Sequence, residues 1–211
     1  YFSMYKPEEI VLPENVGRWY DGMPSSLLLG TGGLRGCQLA RDDWRKLWAV
    51  YFGLVTLADA CIGRVIAALK ARGFWDNALV IFTMDHGEAL GAHRMLEKMT
   101  MYEESAHVPL FVKPPGSCRP DRRRQMVGHV DIAPTLCDYA GVAPLPAAWG
   151  RSLHSVVENP AAPWRGETFA EFNGDQSRGF PSRAVFTERY KYIHHFGAGE
   201  ELYDLNEDPQ E

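Results

Sequence analysis

The chain has 211 residues, 45% of them hydrophobic and 23% charged, enough apolar material for one packed domain and too much for a disordered tail. With 22 Lys and Arg against 27 Asp and Glu the formal charge is −5, so no global basic field argues for a nucleic-acid partner. The longest uncharged apolar run, Leu47 to Ala58, falls short of the ~20 residues a bilayer requires, and no membrane span is expected. The chain opens on Tyr1 rather than Met and stops at Glu211 in a polar stretch, which reads as a piece of a longer protein. The cysteines Cys37, Cys61, Cys118 and Cys137 have no C-x-x-C spacing and read as reduced, partly buried thiols.

Residues 1–41 read as irregular, because Pro7, Pro13, Pro24 and the glycines from Gly30 to Gly36 interrupt any regular element. A long helix is expected from Asp42, which can cap it, to Gly73, which stops it. Leu47, Tyr51, Leu54, Val55, Ala58, Ile62, Val65, Ile66 and Leu69 would form one apolar face. The run Ala78 to Met84 then reads as a strand buried on both faces, as in a parallel sheet covered by helices. Leu110 to Val112 and Met126 to His129 are further strand candidates, and a helix should run from Asp131 to Ala140, ended by Gly141. Past about residue 165, Glu167 to Phe172, Arg183 to Thr187, Lys191 to His195 and Glu201 to Asp204 look like short antiparallel strands with one wet face.

The pattern implies an α/β fold: part of an open, mostly parallel sheet flanked by helices, followed by a small antiparallel sheet. The expected division is 1–160 for the first part and 161–211 for the second.

Thr83-Met84-Asp85-His86-Gly87-Glu88 carries the chemistry. It follows the most buried-looking strand, and ligands in open α/β sheets bind just beyond the carboxyl ends of strands. Asp offers a hard anionic oxygen and His a neutral nitrogen, so neighbours in one turn can reach one cation. Gly87 lets the backbone bend and approach a ligand.

The run Asp85-His86-Gly87-Glu88-x-x-Gly91-x-His93 is followed by Lys98, Tyr102-Glu103-Glu104-Ser105 and Val108-Pro109. Together they resemble the sulfatase family of the alkaline-phosphatase superfamily. Asp59, Gly63 and Arg64 in the long helix, Val130-Asp131-Ile132-Ala133-Pro134-Thr135, Gly150-Arg151-Ser152-Leu153, Tyr190-Lys191-Tyr192-Ile193 and Glu201-Leu202-Tyr203-Asp204-Leu205 resemble its further motifs, in order. The resemblance covers about residues 45–211.

It implies a sulfuric ester hydrolase acting on a small-molecule or glycan sulfate ester, with Asp85 and His86 as two ligands of a divalent metal, Ca²⁺ in sulfatases. Lys98 would contact sulfate near the leaving oxygen. Glu88 and His93 are open between orienting a ligand and holding a turn, Glu103 to Ser105 would be structural, and His107 replaces the common Arg. The family's formylglycine nucleophile, made from a C/S-x-P/A-x-R motif, and an early Asp pair would lie upstream, so the fragment alone is expected to be inactive.

Cys118-Arg119-Pro120-Asp121-Arg122 fits C-x-P-x-R, but it follows the metal pair and reads as a solvated basic turn. Two other readings remain: a phosphonate monoester or phosphodiester hydrolase of the same superfamily, with Mn²⁺ or Zn²⁺, and a noncatalytic truncated module. A homo-oligomer is compatible with each.

Overall fold

The structure, a computed structural model, describes residues 1–116, 119–174 and 180–211. The first forty residues hold more order than their glycines suggest. A 3-10 turn spans Pro7–Glu9, and two short helices follow, α1 (Ser25–Leu29) and α2 (Thr31–Gly36). The glycines of α2 serve close approach instead of breaking the chain. A Cβ on Gly32 would lie 2.1 Å from Leu96 O, and one on Gly36 1.9 Å from Arg94 O.

Helix α3 (Arg41–Ala71) starts one residue earlier than expected: Asp43, not Asp42, closes its N-terminus by accepting the Ala40 N–H at 3.1 Å. Its first half buries Trp44 and Ala49 against Ile10, Leu12 and Val16, and Gly53 against the Tyr1 backbone, with Tyr5 and Trp48 edge-on to Phe52 at 5.5 Å each. Beyond Gly53, Leu54, Val55, Leu57 and Val65 are exposed. The helix is, by length and composition, apolar enough to cross a membrane. The sequence expectation weighed only the uncharged run Leu47 to Ala58, whereas the helix runs on through Asp59 and Arg64 and qualifies by length and composition alone.

Strands β1 (Val80–Thr83) and β2 (Leu110–Lys113) pair antiparallel, Val80 opposite Lys113 and Thr83 opposite Leu110. Neither the expected parallel direction nor burial on both faces holds for this pair: β1 is half-buried along its length, and an apolar run carries no information on strand direction. Helix α4 (Glu103–Ala106) lies between them in sequence. Met126 to His129 is not a strand: the Trp164 indole donates to Met126 O at 2.8 Å, and a 3-10 turn begins at His129. That turn leads into α5 (Ile132–Ala140), ended by Gly141 at φ +65°.

Fully buried Asp131 organises this junction. Its carboxylate accepts the Gly128 and Arg151 N–H groups at 2.9 Å each and a two-pronged pair from Arg165. Thr135 accepts the Leu153 N–H at 2.8 Å. The Asp131 to Thr135 and Gly150 to Leu153 motifs are thus one packed corner, followed by α6 (His154–Glu158). Arg123 donates to the Val156 and Val157 carbonyls at the end of α6.

The remainder is a four-stranded antiparallel meander in the order β3 (Glu167–Phe172), β4 (Ser182–Thr187), β5 (Tyr190–His195) and β6 (Gly199–Asp204). Alternate residues point inward: Ser182, Ala184 and Phe186 on β4, Lys191, Ile193 and His195 on β5. Ala184, Phe186 and Ile193 share one core with Leu27, Ala89, Met95, Met101 and Tyr102, so the sheet packs on the segment that follows β1. Cys37 and Cys61 are exposed and Cys137 half-buried, all three as free thiols. Cys118 lies outside the described residues.

Candidate functional site

The turn leaving β1 presents Asp85 and His86 together. Asp85 is exposed, and its Oδ2 lies 3.3 Å from His86 Nε2. The other oxygen, Oδ1, accepts the His86 N–H at 3.1 Å. On the far side of the ring, His86 Nδ1 sits 2.7 Å from Gly87 O and donates to it, which leaves Nε2, the nitrogen facing Asp85 Oδ2, as the one that can offer a lone pair to a cation. An anionic oxygen and a neutral nitrogen therefore converge. Two ligands about 2.4 Å from one Ca²⁺ at right angles stand about 3.4 Å apart, so this donor pair fits a single divalent cation.

Two contacts fix the turn. The Gly87 N–H donates to Ser105 O at 2.9 Å, and a Cβ at Gly87 would lie 1.9 Å from Glu104 O, so only glycine allows α4 this close. His129, at the entry to α5, donates from Nε2 to Met84 O at 2.8 Å, anchoring the residue just before Asp85.

From Glu88 to Glu97 the chain makes a closed loop. Ala89 N–H bonds Glu97 O and Gly91 N–H bonds Met95 O, each at 2.8 Å. The tip is held by the Trp48 indole on Leu90 O and by the Gly17 N–H on Gly91 O, both 2.7 Å. Because the loop closes at 88 and 97, exposed Lys98 returns to the neck that Asp85 leaves three residues earlier, a reach of at most about 11 Å. A shallow cleft opens beside it, lined by Gly30, Gly32, Gly33, Leu96 and Met99.

Behind the loop lie two buried polar clusters. In one, the fully buried Lys191 ammonium sits 2.5 Å from both Glu103 and Glu211. Burial opposes the Glu103 carboxylate, yet bonds from His107 and Lys191 outweigh it and bring it down to about 2. His93, stacked 4.1 Å above Tyr102, lies 3.6 Å from Glu104. His93, Glu104 and Glu211 could each offer one ligand atom within 4.8 Å of the others. The Lys191 ammonium already beside Glu211 supplies that cluster with positive charge.

In the second cluster Glu201 accepts from Tyr20, from Tyr102 at 2.8 Å, from Tyr203 at 2.6 Å and from His195 Nε2 at 2.5 Å. Burial raises all three phenols, and these donors hold the Glu201 carboxylate low against its own burial. Ser182 Oγ lies 2.9 Å from His195 Nδ1, which gives a serine–histidine–glutamate order. Ser182 is only 2% exposed, however, so no substrate reaches it and the group is a clamp between the sheet and the loop.

The structure thus brings Asp85 and His86 into contact and returns Lys98 to the same end of β1, with no hydrogen bond or ion pair to its side chain among the described residues. Glu88 holds the loop neck, accepting the Glu97 N–H at 2.5 Å. His107, standing where the motif commonly has Arg, pairs with Glu103 at 2.7 Å. Sequence reasoning missed His129 and Tyr20. His129 carries no pattern, and Tyr20 stands 181 residues before its partner Glu201.

Comparison with known proteins places the chain by family and fold. The family described as Sulfatase matches residues 16–142, and that described as N-sulphoglucosamine sulphohydrolase, C-terminal, matches residues 91–211. An arylsulfatase of Clostridium perfringens (strain 13 / Type A) is 31% identical over 225 residues, covering 100% of this chain and 44% of the relative. The solved structure of a 2-O GAG sulfatase superposes with a TM-score of 0.82 at 27% identity, covering 95% of this chain and 46% of the other. The phosphonate monoester hydrolase of Agrobacterium radiobacter superposes with a TM-score of 0.80 at 29% identity, covering 99% and 47%. The chain spans less than half the length of these relatives. With the matched family covering more than half of its residues, in motif order and in fold, the chain belongs to the sulfatase family.

Proposed function

We propose that this chain is the C-terminal part of a sulfuric ester hydrolase whose complete form cleaves a small-molecule or glycan sulfate ester. The observation that carries this reading is the Asp85–His86 donor pair, 3.3 Å apart at the end of β1, in a chain of the sulfatase family. Residues 1–160 are then part of the catalytic α/β domain, whose open, mostly parallel sheet is completed by strands from the rest of the protein. Residues 161–211 form its antiparallel subdomain.

Asp85 Oδ2 and His86 Nε2 would hold a divalent cation, Ca²⁺ on this reading. When bound, the cation supplies positive charge beside the transferring sulfuryl group. His86 keeps its Nδ1 proton on Gly87 O, so its lone pair stays available at Nε2. Lys98 carries an ammonium to the same strand end and stabilises charge that grows on the departing oxygen. The formylglycine nucleophile comes from the part of the protein outside these residues.

A phosphonate monoester hydrolase, with Mn²⁺ or Zn²⁺ in place of Ca²⁺, is the second reading, favoured by the superposition on the Agrobacterium enzyme. The test is parallel assay of the full-length protein on aryl sulfates and aryl phosphonates. The proposal expects kcat/KM to favour the sulfate, and a preference for the phosphonate selects the second reading. Lys98→Ala should lower kcat by about 10²–10³-fold, and less for nitrophenol leaving groups that are already good anions.

A further inference from the structure

The residue just before Lys98 is held on both sides of its backbone: the Glu97 carbonyl accepts the Ala89 N–H at 2.8 Å, and the Glu97 N–H is held by one carboxylate. Glu88 Oε1 accepts the Glu97 N–H at 2.5 Å and the Leu90 N–H at 3.4 Å. Within the loop, Leu90, His93, Arg94 and Glu97 stand in left-handed conformation at φ +45°, +51°, +57° and +71°. Each such residue is strained, so the loop keeps this shape only where fixed hydrogen bonds over-determine it. Relaxing Glu97 turns its N–H away and re-aims the next residue, Lys98.

The contacts from Trp48, Gly17 and Gly32 fasten the loop at Leu90, Gly91 and Leu96, and none of them takes the Glu97 N–H. A charged acceptor suits this place, since a carboxylate bond to a backbone N–H is about twice as strong as a neutral one.

We propose that Glu88 is the positioning residue for Lys98: its carboxylate, by holding the Glu97 N–H at the loop neck, sets where the lysine ammonium stands. The role rests on the reading of Lys98 as the group beside the departing oxygen. Glu88 touches no reacting atom.

The test has two arms. In the full-length protein, hydrogen exchange at the Glu97 amide should quicken about tenfold or more in Glu88→Ala, with amides of β4 and β5 unchanged, and Glu88→Gln, which keeps an acceptor oxygen, should restore most of the protection. Unchanged exchange at Glu97 overturns the proposal whatever the activity. In turnover, Glu88→Ala should lower kcat about tenfold to a hundredfold with KM held within about twofold, most for poor leaving groups, and should add little on a Lys98→Ala background. A loss that multiplies fully with that of Lys98→Ala overturns the proposal in favour of a general folding defect. If Lys98→Ala alone leaves every rate intact, the reading of Lys98 fails, which the exchange arm distinguishes from failure of the Glu88 bond.

Discussion

Asp85 and His86 differ in what each can give a cation. The carboxylate brings a full negative charge from an exposed position, and the imidazole brings a neutral lone pair fixed by its bond to Gly87 O. Asp85→Ala in the full-length protein should therefore remove bound metal and lower activity together, by about 10²-fold or more, whereas His86→Ala should do both more mildly. Metal content by elemental analysis beside kcat checks this. Full metal and full rate in Asp85→Ala would sink the ligand assignment. Legibility at this scale was uneven. Asp85, His86 and Lys98 stand in a recognisable run, whereas the Glu88 bond to Glu97 depends on left-handed residues that no composition announces.

Among the elements, α2 shows intrinsic preference losing to sterics. Replacing a helical glycine by alanine ordinarily stabilises by about 1 kcal/mol. At Gly36 the new Cβ would stand 1.9 Å from Arg94 O and 3.2 Å from the Met95 Cα, and backbone atoms cannot swing aside as a side chain can. Overpacking of about 1–3 kcal/mol or more should win, so Gly36→Ala is expected to lower the melting temperature by about 2–4 °C per kcal/mol. A rise in melting temperature would show that the loop yields.

The same competition explains what could be read beforehand at this scale. Helices α3 and α5 and the strands of the meander follow from local periodicity, which needs only neighbouring residues. Helix α2 and the antiparallel direction of β1 against β2 depend on partners about thirty to sixty positions away, and local pattern is silent about those.

For the molecule as a whole, Glu103 of the Lys191 cluster is one contributor to the acid limb of stability. The Glu103 carboxylate falls from an ordinary 4.5 to about 2 on folding, so its contribution is fully present above pH 4.5 and is lost as pH drops toward 2. His107 is raised by its bond to Glu103, so its share is present below about 6.5 and fades as pH rises through its folded value. Between these limits the pair contributes most. Melting temperatures from pH 6 to 2 should fall less steeply in Glu103→Gln than in the parent, and parallel curves would remove the cluster from the account.

The exposed apolar half of α3 leads to a second expectation at this scale. The isolated 211 residues should show no sulfatase turnover and should bind a hydrophobic dye, with Leu54→Glu and Val65→Glu together reducing that binding. Dye binding unaffected by the pair would place the sticky surface elsewhere.

The meander has a consequence in time. Strands β4, β5 and β6 are joined by two or three residues each, so every pairing closes a very short chain segment at small entropic cost. The β1–β2 pair must instead bring together segments 27 to 33 residues apart, across a loop with four left-handed residues. Contacts that are local in sequence form soonest, so the β4–β5 and β5–β6 pairings are expected to close before the β1–β2 pair. The inner face of the meander, Phe186 and Ile193, would then offer Tyr102 and Met101, the residues they share a core with, a surface to pack on.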